Sequence, residues 1–409
     1  MAAVTFVAGC DNRRHMNAPT KSRLPAGVWA LGLVSLFMDV SSEMIHSLLP
    51  VFLVGTLGVS ALALGVIEGV AEATANIVKL FSGALSDWMG RRKPLALLGY
   101  GVAALTKPLF PLADSVVTVF TARFLDRIGK GIRGAPRDAL VAGLTPPEQR
   151  GAAFGLRQSM DTTGAFLGPL LAIGLMLLLA DNIRAVFWFA TIPAAMAVVI
   201  LWIWVREPKS TAATSKGLPD LRAWRRLPRP FWWLVGLMVM FTLARFSEAF
   251  LVLRVHTAGL SLPFVPLVLV AMNLAYALSA YPAGRLSDRL PRTQLLGWGC
   301  AVLIAADLLL AFGEHWGWTL AGAALWGFHM GLTEGLLAAM VADCAPAALL
   351  GTAYGITNFA RGIVLLVASV LAGALWTFAG PAATFLSGAA FALLTVLALR
   401  FVPPPPRTP

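Results

Sequence analysis

Apolar segments recur along the whole chain and alternate with short polar connections, as in AVFWFATIPAAMAVVILWIWV and FLSGAAFALLTVLALRFV. An α-helix of about 20 apolar residues is long enough to cross the hydrocarbon core of a bilayer. The pattern therefore predicts an all-α integral membrane protein. Its twelve predicted transmembrane helices are residues 27–56, 60–86, 94–113, 115–143, 150–180, 184–205, 230–256, 262–288, 294–313, 316–343, 348–378 and 380–402.

The composition agrees with a membrane protein. Of the 409 residues, 58% are hydrophobic and only 13% are charged, whereas about 25% are charged in a typical soluble domain. The net charge of +12 would also suit a nucleic-acid-binding protein. However, the basic residues fall in alternate connections between the apolar segments, and this distribution sets the orientation of membrane helices. We therefore expect a lipid bilayer around the chain and no nucleic acid partner.

Lysine and arginine concentrate on every second connection. They cluster in the leader before residue 25, at Arg91, Arg92 and Lys93, in the segment 206–229, and at Arg285, Arg289 and Arg292. The opposite connections, such as LADSVV and AFGEHWGW, carry few basic residues. Basic connections remain on the cytoplasmic side, so we expect both termini in the cytoplasm of a bacterium and the spans in its inner membrane.

The chain divides near its middle into two similar halves. GALSD at 83–87 matches GRLSD at 284–288, and GAAFG at 151–155 matches GTAYG at 351–355, both about 200 residues apart. Such a duplication predicts two six-helix bundles with the working site between them. The expected organisation is a leader at 1–25, bundles at 26–205 and 230–402, a flexible linker at 206–229 and a tail at 403–409.

The three cysteines, Cys10, Cys300 and Cys344, have neither metal-like spacing nor short-range pairs, so we expect them to be reduced and structural. VAGCD, which ends at Asp11, is similar to a lipoprotein cleavage box, but no basic region precedes it. A disordered leader is the preferred interpretation, with Met16 as an alternative start.

Five sequence stretches resemble motifs of the major facilitator superfamily. GALSDWMGRRK at 83–93 resembles its signature loop between the second and third spans, and GRLSDRLPRT at 284–293 is a second copy with Pro291 in place of a glycine. RIGKGIRGA at 127–135 resembles the fourth-span motif of proton-linked members, with Lys130 at a glutamine position and Arg133 at a glycine position. GAFLGP at 164–169 partly matches the antiporter motif, and VREPK at 205–209 resembles the usual exit from span six.

The resemblance implies two six-helix bundles that rock about a central site, and a gate at their cytoplasmic ends. In that gate, Asp87 would bind the amino-terminal end of span eleven near Gly351, where free amides and the helix dipole favour an anion. For Arg91, Arg92 and Lys93, a topology signal is an equally good interpretation. The predicted gating residues are Gly83, Asp87, Gly90, Arg91, Arg137, Asp138 and Asp288.

Ionisable side chains within the predicted spans form three stripes in the first half. An ionisable group in a bilayer needs an interior face, a partner or a function. Helical spacing places Asp39, Glu43 and His46 on one face of span one. Glu68, Glu72, Asn76 and Lys79 share a face of span two, and Arg123, Asp126, Lys130, Arg133 and Arg137 share a face of span four. We expect these faces to meet around a hydrated interior, and a purely structural ion-pair network is the alternative.

The second half has fewer buried polar residues, and Glu248 follows a serine as Glu43 does in the first half. Charge is therefore concentrated in the first half, which we expect to handle ion coupling and charged groups of the substrate. The predicted substrate-binding residues are His46, Asn76, Arg127, Lys130, Arg133, Arg245, Glu248, Asn273, Tyr276, His329, Glu334, Asn358 and Arg361.

These observations favour a proton-coupled transporter that exports a small amphiphilic or charged molecule, acting as a monomer without cofactor or metal. The candidates for proton coupling are Asp39, Glu43, Glu68 and Glu72, and Asp161 is a further candidate after these four. Transport of an anionic metabolite or a metal chelate such as a siderophore is an alternative, because cations line span four. A non-transporting membrane sensor is the alternative of another class. No Gly-x-Ser-x-Gly, HExxH or P-loop pattern indicates an enzyme.

Overall fold

The computed structural model describes residues 24–89, 91–146, 149–207, 223–287, 289–346 and 349–400, and within these ranges the chain is helical and contains no strand. Several predicted features lie outside them: the leader as far as residue 23 with Cys10, Gly90, most of the linker, Asp288, and the tail. Cys300 and Cys344 are described, and both are free thiols.

The helices follow the predicted order of spans. In the first half they are α1 Ala26–His46, α2 Leu49–Val51, α3 Ala61–Met89, α4 Lys93–Thr106, α5 Val116–Leu144, α6 Arg150–Leu178 and α7 Ile183–Trp204. In the second half they are α8 Arg229–Leu243, α9 Ala249–Thr257, α10 Leu267–Ser287, α11 Arg292–Phe312, α12 Trp316–Cys344, α13 Leu350–Ala379 and α14 Pro381–Leu399.

Nine helices in the described ranges are long and apolar enough to cross a membrane. The prediction of an all-α integral membrane fold is thereby confirmed, whereas the number of twelve crossings stays a prediction. The remaining three predicted spans correspond to α4, α5 and α8. Helices α4 and α8 have 14 and 15 residues, which is short for a span, and α5 carries too many charges along its 29 residues.

Side-chain caps define where several of these helices begin. The Ser115 hydroxyl accepts a hydrogen bond from the Thr118 amide at 3.2 Å at the start of α5. The Asn182 side chain accepts one from Ala185 at 3.1 Å at the start of α7. Such caps satisfy amides that have no partner within the helix, and they fix the point at which each helix leaves its loop.

Two predicted spans are interrupted in the structure. Helix α1 ends at His46 and is followed by α2 and a π-helical turn at Phe52–Thr56. The backbone leaves the helical path between α8 and α9, where the Ser247 amide donates to the Ser369 hydroxyl at 3.2 Å. Non-helical backbone at membrane depth is tolerated where protein or a water-filled cavity surrounds it. The interruptions therefore mark the part of the fold that faces the interior.

The two halves meet along close helix pairs. Helix α3 packs against α13 and helix α6 against α10, while α2 contacts α9 at one end. Glycines bring α3 and α13 together, because a Cβ on Gly65 would overlap the Ser369 carbonyl and one on Gly373 would lie 2.5 Å from the Ala61 carbonyl. Small residues permit such close approach of membrane helices. Both contacts are near the start of α3, so the halves are tightly joined at that end.

Candidate functional site

A cavity of about 360 Å³ lies between the two halves. The first half contributes α1, α3 and α5, and the second half contributes α8, the interruption that follows it, α10, α12 and α13. The charged and histidine residues of its lining are Glu43, His46, Glu72, Arg127, Lys130, Arg245, Glu248, Glu334 and Arg361. Each of the three predicted polar stripes therefore contributes some of its residues to a shared interior space, namely Glu43 and His46, Glu72, and Lys130.

Helices α3 and α5 are joined by ion pairs on the first-half side of this cavity. Arg123 donates to both oxygens of Glu68, at 3.1 and 2.7 Å, and neither side chain is more than 2% exposed. One turn further along each helix, Arg127 lies 3.3 Å from Glu72. Two pairs with the same spacing fix the register of α3 on α5, and the second pair is at the cavity wall.

His46 links α1 to this network. Its Nδ1 atom lies 3.6 Å from Glu43 and its Nε2 atom lies 3.6 Å from Glu68. Glu43 is at the cavity surface, whereas Glu68 is fully buried behind it. The imidazole thus connects a carboxylate that a ligand can reach with one that it cannot. A histidine between two carboxylates is suited to passing a proton.

On the second-half side, Glu334 is shared by two guanidinium groups. Arg245 lies 3.1 Å and Arg361 3.2 Å from the same carboxylate oxygen, Oε1. Arg245 and Glu248 lie in the interruption between α8 and α9, so this break in the helix places one cationic and one acidic side chain at the cavity. Asn358 of α13 also lines the wall.

Aromatic and methionine side chains complete the wall of the second half. Phe246 and Trp326 pack with ring centroids 5.3 Å apart, and Phe241 has the Arg245 guanidinium 5.7 Å from its ring centre. Met238 and Met330 border the same space. The cavity thus has a charged wall from the first half and a mixed apolar and charged wall from the second half.

One end of the cavity is closed. The Leu62 amide of α3 donates to the Thr377 hydroxyl of α13 at 3.0 Å, and α2 packs against α9 at the same end. Further along the interface, Asn273 lines the cavity and donates to the Ala165 carbonyl of α6 at 3.2 Å, so it joins the two halves directly. Towards the opposite end, the lining continues to Val341 and Tyr354.

Several predicted site residues lie outside this lining. Arg133 is buried against α4, with its guanidinium 4.7 Å from the centre of the Tyr100 ring. His329 is fully buried beside Trp326 and Phe241, with ring centroids 5.5 and 6.4 Å away. The structure therefore gives these two residues packing positions in the interior of their own halves.

Three further candidates occupy helix interfaces. The Asn76 amide donates to the Glu72 carbonyl of its own helix at 2.9 Å, and its Cβ lies close to Gly362 of α13. Asp39 of α1 is beside Gly164 of α6. Tyr276 packs partly buried against the main apolar core. These three residues and Glu68 therefore lie near the cavity but do not form part of its wall.

Among the gating candidates, Gly83, Arg137 and Asp138 have contacts within the first half. Gly83 lies in α3 facing Ala135 of α5, and Arg91 is exposed. The backbone of Asp87 is helical within α3. A second cluster joins α5 to α6: Arg137 lies 3.2 Å from Asp138 and 3.7 Å from Asp161. The same Arg137 donates to the Ser35 hydroxyl of α1 at 3.1 Å.

Two buried ionisable residues, Lys107 and Asp307, belong neither to the predicted site nor to the predicted polar stripes. Lys107, which is 1% exposed, donates to Asp126 at 2.9 Å and to the Ser42 hydroxyl at 3.0 Å. Asp307 of α11 is fully buried beside Gly388 of α14. A single charged residue within an apolar segment is the signal that would have identified both, because such residues are rare in membrane spans.

Comparisons with known proteins agree with this geometry. The family model of the Major Facilitator Superfamily matches residues 31–265 and 249–409. An uncharacterized MFS-type transporter of Methanocaldococcus jannaschii is 30% identical over 392 residues, covering 94% of this chain and 97% of its own. The multidrug resistance protein MdtH of Proteus mirabilis is 30% identical over 189 residues, covering 46% of each chain.

A solved structure supports the same fold. The peptide transporter POT, crystallised in complex with sulfate, is similar with a TM-score of 0.76 at 13% identity, covering 92% of this chain and 94% of that one. Together, the multi-pass helical fold and the charged cavity between its halves define a membrane transporter, which is not an enzyme. The chain belongs to the Major Facilitator Superfamily, as its motifs had indicated.

Proposed function

We propose that this protein is a proton-coupled secondary transporter that exports a small amphiphilic or charged molecule by alternating access. The main supporting observation is the cavity itself: both halves line it, it carries charged groups from each, and one end is sealed by α3 and α13. A central site between two repeats that rock against each other is the arrangement that alternating access requires. We further propose that the protein works as a monomer of two bundles, 26–205 and 230–402.

The orientation is also part of the proposal. The connections at Arg91–Lys93 and Arg289–Arg292 are rich in basic residues and lie at the end opposite to the Leu62–Thr377 contact. By the positive-inside rule, that end faces the cytoplasm of a bacterium. We infer that the cavity opens there and that both termini are cytoplasmic. A cavity loaded from the cytoplasm suits export, and the name of the MdtH relative agrees with that direction.

Proton coupling requires a carboxylate whose surroundings differ between two conformations. A carboxylate that exchanges a cationic partner for an apolar one changes its affinity for a proton. Of the four candidates, Asp39, Glu43, Glu68 and Glu72, we propose Glu43 as the residue for which proton and substrate compete. It lies at the cavity surface and contacts His46, which connects it to the buried Glu68.

The proposed gate lies at the end of α3 that leads to the basic residues Arg91–Lys93. We propose that Gly83, Asp87, Gly90 and Arg91, with Asp288 in the second repeat, hold this end together when the cavity faces outward. Arg137 and Asp138 would then transmit the movement to α6, since their cluster includes Asp161 and Arg157 of that helix.

Inside-out bacterial membrane vesicles containing the full chain provide the test. Respiration acidifies their interior, and a fluorescent weak base reports the pH gradient while a panel of cationic, anionic and zwitterionic compounds is added. Compounds that are substrates should dissipate the gradient in vesicles with the wild-type chain, but not with Glu43→Gln. Glu314→Gln is the matched control, because it removes the same charge at an exposed position before α12. If no compound dissipates the gradient, or if Glu43→Gln behaves as the wild type, proton coupling through Glu43 is refuted.

A further inference from the structure

The cavity lining carries charged side chains of both signs in equal number. Four carboxylates, those of Glu43, Glu72, Glu248 and Glu334, face this space. Four cationic side chains face it as well, those of Arg127, Lys130, Arg245 and Arg361, and His46 lies between Glu43 and Glu68. A ligand that carries one charge of each sign matches such a wall, whereas a ligand with a single charge meets groups that repel it as well as groups that attract it.

Equal numbers of carboxylates and cationic side chains do not mean that every group is paired. Glu72 pairs with Arg127 at 3.3 Å, and Glu334 pairs with Arg245 and Arg361. Glu43 has His46 at 3.6 Å. Among the described residues, this leaves the Lys130 ammonium and the Glu248 carboxylate at the cavity without an ion-pair or hydrogen-bond partner.

The two unpaired groups have opposite signs and belong to different halves. Lys130 projects from α5, whereas Glu248 lies in the interruption between α8 and α9. They do not bind each other in this conformation. A charge at membrane depth is costly unless it has a partner, so each group favours a ligand atom of the opposite sign.

We infer that the substrate is a zwitterion, with an anionic group that binds Lys130, a cationic amine that binds Glu248, and no net charge. This inference rests on the proposed function only in taking the cavity as the substrate site. Such a ligand pairs the free charge of each half and bridges the halves. A pure cation leaves Lys130 unpaired, and a pure anion leaves Glu248 unpaired.

The remaining lining sets the size and the body of this substrate. A volume of about 360 Å³ lies within the range of about 300–1,000 Å³ that is typical of small-molecule sites, so the cavity admits a compact metabolite. Phe246, Trp326 and Met330 provide an apolar surface beside Glu248. A zwitterion with an apolar group therefore suits both the charges and the wall.

Thermal unfolding of the purified full chain in detergent tests the inference. The probes are triplets of compounds that share one side group: a zwitterion, the amine that lacks its carboxylate, and the acid that lacks its amine. One triplet is tyrosine, tyramine and 3-(4-hydroxyphenyl)propionate. Another is leucine, isoamylamine and 4-methylpentanoate, and further triplets follow the same design. Zwitterions should raise Tm more than either partner. Lys130→Gln should remove the preference for a zwitterion over its amine, because the carboxylate of the zwitterion loses its partner. Glu248→Gln should remove the preference for a zwitterion over its acid, because the amine of the zwitterion loses its partner.

Arg400→Gln and Glu314→Gln are the matched controls, since both positions are exposed and outside the cavity lining, and they should retain the wild-type preference. The inference is overturned if no zwitterion raises Tm, if amines or acids raise it equally, or if the preference survives both cavity substitutions. The assay contains neither a membrane nor a pH gradient. If zwitterions are preferred in the Tm assay but no compound causes proton exchange in vesicles, only the proposed proton coupling is refuted. If compounds cause proton exchange in vesicles but zwitterions are not preferred in the Tm assay, only the inferred substrate class is refuted.

Discussion

The Arg123 guanidinium donates to both carboxylate oxygens of Glu68, across the α3–α5 interface and out of reach of the cavity. His46 contacts the same carboxylate from α1. Three helices of the first half therefore depend on a single buried anion and its partners. The surroundings of Glu43, which borders the cavity, are held in place by this arrangement.

Removing one partner of this pair should destabilise the protein strongly. Arg123→Gln leaves the Glu68 carboxylate buried with only His46 beside it, and breaking a buried pair in this way costs about 3–5 kcal/mol. The unfolding temperature in detergent should fall clearly. The double variant Arg123→Gln/Glu68→Gln should recover much of the loss, because no uncompensated charge remains. Equal unfolding temperatures for the single variant and the wild type would show that the pair has no structural role.

The α10–α12 contact should not tolerate a methyl group at Gly327. A Cβ at this position would overlap the Met272 carbonyl, whereas one at Gly335 of the same helix has open space around it. Overpacking of this kind typically costs about 1–3 kcal/mol. Gly327→Ala should therefore lower the unfolding temperature while Gly335→Ala leaves it nearly unchanged. A similar response of the two variants would contradict the packing of α10 on α12.

Cysteines at positions 62 and 377 should report the closed end. The Leu62 amide and the Thr377 hydroxyl are 3.0 Å apart, so the pair Leu62→Cys/Thr377→Cys should crosslink readily with a short bifunctional maleimide in a background without Cys10 and Cys344. If the halves rock, a substrate that drives the outward-facing state should reduce the yield. The pair Leu62→Cys/Leu309→Cys, with its second site on α11, is the negative control. A yield that no transported compound changes would argue against opening at this end.

Asp307 should tolerate loss of its ionisable group. Both its carboxylate oxygens are buried and, among the described residues, neither has a hydrogen-bond partner. Asp307→Asn keeps the shape of the side chain and removes no contact, so stability should not fall. Glu334→Gln is a matched comparison that does lose ion pairs, with Arg245 and Arg361, and it should lower the unfolding temperature. A large loss with Asp307→Asn would reveal a partner for this carboxylate.

The sequence predicts the helices and the meeting of charged faces well, because both depend on local periodicity. Glu68 and Glu72 are four residues apart, as are Arg123 and Arg127, and residues at this spacing share a helix face. Arg133 shows the limit of the argument. It lies about 120° from Arg127 around α5 at 100° per residue. Arg133, at the edge of the predicted polar stripe of α5, therefore points away from the cavity and packs against Tyr100 of α4.

The interruption between α8 and α9 could not be predicted from the local sequence, whereas Pro50 marks the one that follows α1. The segment ARFSE at 244–248 contains neither glycine nor proline, and it leaves the helical path where α13 supplies a hydroxyl for the Ser247 amide. Lys107 illustrates the same dependence on distant residues, since its partners Asp126 and Ser42 are on other helices. Both features depend on partners that are distant in the sequence, so the charge of Lys107 marks an interior residue without showing which groups it binds.

The interruption in each repeat has a mechanical consequence. Beyond the breaks, α2 and α9 are short helices that contact each other across the interface between the halves. Helix α9 is also tied to its own half, since Arg254 donates to the Leu310 and Gly313 carbonyls at 2.7 Å. Each short helix therefore belongs to the rigid body of its half, and separation of the halves at this end breaks a small contact area between two single-turn to three-turn elements.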